Sequence, residues 1–194
     1  MPYGDLARQV LQRFASRADL DEHRCTIEER EEYEPHLAAG TVVFAGTDYA
    51  RIVEAAAAEA DVILWDGGNN DFPFVRPDLH LVLVDALRPG HESGYHPGEA
   101  VLRSADVAII AKSDSTSPKV VSELAASVRL LNPTAPIVLG ASPITLSDPA
   151  AVYNRRVVVV EDGPSLAHGG MAFGAGYVAA LEAGALHQGH LWPM

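Results

Sequence analysis

Side chains able to do chemistry gather where the apolar runs of this 194-residue chain end. Asp66 follows Asp61-Val-Ile-Leu-Trp65 and opens Asp66-Gly67-Gly68-Asn69-Asn70-Asp71. A carboxylate at the tip of a buried strand can hold magnesium, which wants hard oxygen ligands, and the glycines let the backbone approach a ligand. An ordinary Asp-Gly turn would use the same residues. Asp85 follows the run at 79–84, and Arg88, His91, Glu92, His96 and Glu99 come after it. Histidine and carboxylate at this spacing can bind a metal or move protons, and the prolines and glycines among them predict a displayed loop. Ala111-Lys112-Ser113-Asp114 and Gly140-Ala141-Ser142 close two further runs. After Arg156–Val160 comes Glu161-Asp162-Gly163-Pro164-Ser165-Leu166-Ala167-His168-Gly169-Gly170. Glycine amides ahead of a helix can receive an anion, and a protonated His168 would add charge. Asp162 would orient that imidazole, act as a base, or simply cap the glycine loop.

These positions matter only if strands set them side by side. Runs at 41–45, 61–65, 79–84, Val107–Ala111, Ile137–Leu139 and Arg156–Val160 are rich in Val, Ile and Leu and lack polar alternation. Such runs predict parallel strands covered on both faces. Helical patterns lie between them at 49–60 and Pro118–Leu131, with a last helix at 176–183. Ser117 ahead of Pro118 fits a cap followed by a first-turn proline. Residues 6–15 are expected to be helical, 26–32 form a charged second helix, and no strand is expected ahead of the first helix. The alternation predicts an α/β fold with a mostly parallel, doubly wound sheet, whose ligands bind beyond the carboxyl ends of the strands.

Composition narrows the partners. Apolar residues make up 48% of the chain, as in a globular protein, and the formal net charge is −12. So acidic a chain is not expected to bind nucleic acid or an anionic membrane through charge, so an anionic substrate must meet local cations. Lys112 and Lys119 are the only lysines, and Cys25 is the only cysteine. A lone thiol makes no internal disulfide, and with no apolar span or leader evident the expected compartment is the cytoplasm.

Several stretches carry a resemblance. Met1-Pro-Tyr-Gly-Asp-Leu6, Cys25-Thr-Ile-Glu-Glu-Arg-Glu-Glu-Tyr-Glu-Pro-His36, Trp65-Asp-Gly-Gly-Asn-Asn-Asp-Phe-Pro-Phe74, Arg88-Pro-Gly-His-Glu92 and Val160-Glu-Asp-Gly-Pro-Ser-Leu-Ala-His-Gly-Gly170 look like a family of P-loop GTPases labelled cyclic 2,3-diphosphoglycerate synthetase-like. The resemblance implies a P-loop NTPase-type domain over 1–184, missing its first strand and P-loop, with an atypical tail over 185–194. It implies Mg2+ with ATP or GTP, and a small phosphorylated acid as second substrate. Asp66 then has the place of a Walker-B carboxylate on the metal. Lys112 and Asp114 resemble an N-K-x-D element facing the base, with Ala111 in place of its Asn and with Ser142 nearby. Arg88, Gly163, Gly169 and Gly170 would contact the substrate, and His91, Glu92, Asp162 and His168 would serve catalysis. The sequence contains no Gly-Lys pair, so the chain alone is expected not to hydrolyse nucleotide and to leave part of its sheet uncovered. A non-catalytic regulatory protein, a metallochaperone-like GTPase using His91 and His96, and a homo-oligomer remain open.

Overall fold

The computed structural model describes residues 6–67, 72–161, 166 and 171–191. They divide into two compact units, one of residues 1–68 with 72–77 and one of residues 69–71 with 78–194.

The first unit begins with a 3-10 turn, Leu6–Gln9, followed by β1 (Gln12–Phe14), α1 (Arg17–Glu22), α2 (Ile27–Ala38), β2 (Val43–Ala45) and α3 (Tyr49–Ala57). The helix expected over 6–15 gives way to β1, which pairs antiparallel with β2 and sets Phe14 opposite Val43. A strand therefore does precede the first helix. Tertiary burial overrides local preference here: Phe14 is fully buried, with its ring 5.1 Å from that of His23 and 5.0 Å from that of Tyr33. Thr26 caps α2, accepting from Glu29 N–H while the Glu29 carboxylate accepts from Thr26 N–H at 2.8 Å. The expected strand at 61–65 does not form; Val62 and Leu64 are exposed and no described residue pairs with the segment in a sheet. An apolar run becomes a strand only beside another strand, and in this unit Trp65 instead joins Tyr49 and Phe74 in a ring cluster.

The second unit holds β3 (Leu81–Asp85), α4 (His91–Gly94), α5 (Gly98–Arg103), β4 (Val107–Ala111), α6 (Pro118–Leu131), β5 (Ile137–Leu139), β6 (Arg156–Val160), α7 (Ala175–Glu182) and β7 (His187–Leu191). The order β3-β4-β5 is parallel throughout, with Leu83 beside Ile109 and Ile109 beside Val138. The parallel pair β6-β7 is a separate sheet, so the α/β class holds while the expected single sheet does not. Residues 91–103, expected as loop, contain two short helices. Val101 and Leu102 are buried beneath the sheet, and that burial holds α5 in place despite its proline- and glycine-rich approach.

The core lies between one face of β3-β4-β5 and helices α5 and α6. It contains Val82, Val84, Val101, Leu102, Ala108, Ile110, Leu124 and Val128. Ser117 Oγ accepts from Val120 N–H at the start of α6, as its position before Pro118 predicts. Burial alternates along β3, so the sheet is covered on one face rather than the two its uninterrupted apolar runs imply. Asn132, 3% exposed at the end of α6, donates through Nδ2 to the carbonyls of Leu102, Arg103 and Ala105. Its Oδ1 accepts from Thr134 N–H, Thr134 Oγ1 and Ala135 N–H. Among the described residues no helix is long and apolar enough to cross a membrane.

Candidate functional site

Parallel strands in register bring their carboxyl ends together, and there the second unit collects charge. Asp85 is the last residue of β3 and pairs in register with Ala111, the last of β4. Its Oδ2 accepts from Lys112 Nζ at 2.8 Å and from Arg88 Nε at 2.9 Å, while Oδ1 accepts from Leu87 N–H at 2.9 Å. The Asp85 side chain is 12% exposed. Burial alone would raise its pKa, but the hydrogen bonds from Lys112 and Leu87 and the two positive charges outweigh it and hold the carboxyl below its ordinary value. The cluster carries one net positive charge. Lysine has three donors and arginine five, and Asp85 takes one from each, so the pair is chemically suited to an anionic oxygen as well.

Lys112 reaches Asp85 from an unusual backbone, with φ of 57° in the left-handed region. The turn it begins is tied to the end of β5: Ser113 N–H and Oγ both donate to the Gly140 carbonyl, at 3.0 and 3.1 Å. Asp114 Oδ1 then accepts from Ser142 N–H at 2.9 Å. The structure thus brings together Lys112 with Arg88, through Asp85, and Asp114 with Ser142. Asp85, given no separate role from the sequence, stands at the centre of this cluster, and its place at the end of an apolar run is the signal that marks it.

The other expected residues lie apart or elsewhere. Glu92 Oε1 accepts from Ser127 Oγ of α6 at 2.6 Å and Oε2 accepts from Gly90 N–H at 2.7 Å, which ties α4 to α6. His91 is exposed, with its ring 4.8 Å from that of Tyr95. Asp66 is exposed and belongs to the first unit. Asp162, Gly163, His168, Gly169 and Gly170 lie outside the described residues. Just before them, the buried Glu161 accepts from Gly174 N–H at 2.9 Å and Tyr177 N–H at 3.1 Å, so the start of α7 is already met by a carboxylate of this chain. Among the described residues no three His, Cys, Asp or Glu side chains stand together in a way that could hold a metal ion.

The chain is similar to a protein of Thermococcus kodakarensis named arginine synthetase ArcE, with 56% identity over 185 residues. The match covers 95% of this chain and 41% of that protein, so the chain spans less than half of the relative's length. No protein-family model matches, and no solved structure matches. The relative corrects the family expectation: its name is that of an arginine synthetase, and neither a P-loop GTPase nor a cyclic diphosphoglycerate synthetase emerges. A GTPase acting on a small phosphorylated acid falls with it. A ligase does not, since a synthetase is one by name.

Proposed function

We propose that this chain forms part of an ATP-dependent ligase that produces arginine, and that the carboxyl ends of β3, β4 and β5 bind its nucleotide. The observation that supports the reading is the 56% identity to arginine synthetase ArcE across nearly the whole chain. Lys112, Asp114 and Ser142 approach the base, and Arg88 with Lys112 meets anionic oxygens of the nucleotide. The positive balance around Asp85 supports that assignment in a chain whose net charge is −12. Lys112 Nζ and the Arg88 guanidinium hold a negative oxygen by charge-assisted hydrogen bonds while Asp85 fixes both cations.

Magnesium, bound with ATP, would neutralise phosphate charge.

The test uses the longest polypeptide that carries this chain. Arginine is measured by mass spectrometry and nucleotide consumption by a coupled assay, with and without Mg2+. ATP-dependent arginine formation, lowered at least tenfold by Lys112→Ala, is expected. Arginine formation that is indifferent to ATP, or unchanged in Lys112→Ala, overturns the reading.

A further inference from the structure

One apolar face of the β3-β4-β5 sheet is partly exposed, about half so at its two outer strands. On the side away from α5 and α6, register places Leu81 beside Val107, Leu83 beside Ile109, and Ile109 beside Val138. Leu81 is 51% exposed and Val138 49%, whereas Val82, Ala108 and Ile110 on the opposite face are nearly or fully buried. Parallel sheets place helices on both faces, because each crossover connection must lie on one or the other. Here the connections through α5 and α6 cover a single face, and a contiguous exposed apolar patch marks an interaction surface.

The length of the relative indicates what covers it. More than half of arginine synthetase ArcE has no counterpart in this chain, although the matching part is 56% identical. We infer that the face bearing Leu81, Val107, Ile109 and Val138 docks the portion of the ArcE-type protein that this chain does not include, with that portion laying an apolar helix or strand surface on it. The inference rests on the kinship behind the proposed function but not on the reaction itself. A helix laid across these strands meets Leu81 at one side and Val138 at the other, so both should be covered together.

Site-directed thiol labelling tests this without reference to catalysis. In a Cys25→Ser background, Leu81→Cys and Val138→Cys are introduced into this chain. The aligned positions are changed in the full-length Thermococcus kodakarensis protein, itself cleared of other reactive thiols. Leu130→Cys, on the exposed side of α6, is the control at 84% exposure. Maleimide labelling at Leu81→Cys and Val138→Cys is expected to be at least tenfold slower in the full-length protein than in this chain, with the control equal in both. Equal rates at the two sheet positions overturn the inference. So does protection in this chain alone that grows with protein concentration, which would make a second copy the occupant. Arginine formation by the full-length protein, assayed separately, tells failure of the functional reading from failure of the docking face.

Discussion

Lys112 pays a backbone cost at the place where its side chain is used. A non-glycine residue in the left-handed region gives up about 1–2 kcal/mol. Lys112→Gly should therefore be more stable than Lys112→Ala by about 1 kcal/mol in chemical denaturation, since both lose the contact to Asp85 but only glycine relieves the backbone. Both should lose ATP affinity by about tenfold or more, roughly 1.4 kcal/mol, in calorimetric titration of the longest polypeptide carrying the chain. Stability and binding moving in opposite senses between glycine and native lysine would mark the residue as functional; equal stability of the two variants would remove the strain argument. Asp85 adds a pH signature. Its folded pKa lies below its unfolded value near 3.9, so its contribution is present above about pH 4 and is lost as pH falls through the lower folded value. Asp85→Asn should flatten that acid limb of the stability curve. At the other extreme, burial first and the nearby Glu29 second push the Tyr33 hydroxyl up to about 12 from 10.0. Ionisation in the unfolded chain then erodes stability from about pH 10 to 12, and Tyr33→Phe should abolish that loss in alkaline melts.

At the level of elements, Asn132 shows how much a single polar side chain can join. It closes the end of α5, the end of α6 and the approach to β5 through six hydrogen bonds while almost wholly buried. Asn132→Ala would leave three carbonyls and two backbone amides without this partner and should cost about 3 kcal/mol, measured by urea denaturation. Asn132→Asp keeps the acceptor but removes the amide donors, and should be comparably damaging. This network was illegible in the sequence, because Asn132-Pro133 reads as a turn whatever it touches. Strands β4, β5 and β6 and helix α6 were legible at their bounds, since apolar period and the Ser117-Pro118 cap are local signals. Strand β1 and helix α5 were not, because burial of Phe14, Val101 and Leu102 against distant residues decides them. The site was partly legible for a related reason. Strand ends pointed to Lys112, Asp114 and Ser142, but only the register of β3 with β4 sets Asp85 under Lys112.

For the whole molecule, the partly exposed sheet face should bind the dye ANS when this chain is studied alone, and Val138→Glu should weaken that fluorescence while leaving circular dichroism unchanged. Absence of dye binding by the native chain would show that the face is closed. The two units differ in the size of their buried apolar sets. The first buries Phe14, Leu20, Ile52 and Ala56, and its exposed ion pair of Arg13 with Glu59, bonded through both carboxylate oxygens at 2.6 and 2.7 Å, contributes little. The second has the packed core between its sheet and α5 and α6, and should retain its structure to higher denaturant.

The Asn132 network lies at the amino ends of the parallel strands, and the Asp85, Lys112 and Ser142 cluster lies at their carboxyl ends. One end of the sheet is therefore clamped by a buried network, while the other is tied by partly exposed turns. A ligand can reshape the second without disturbing the first. In native-state hydrogen exchange, the amides of Asn132 and Ala135 should exchange only with global unfolding, whether or not nucleotide is present. Those of Ser113 and Ser142 should exchange through local opening and slow when nucleotide binds. With the amino ends held by the buried clamp, substitutions in the turns at the carboxyl ends should leave the fold intact.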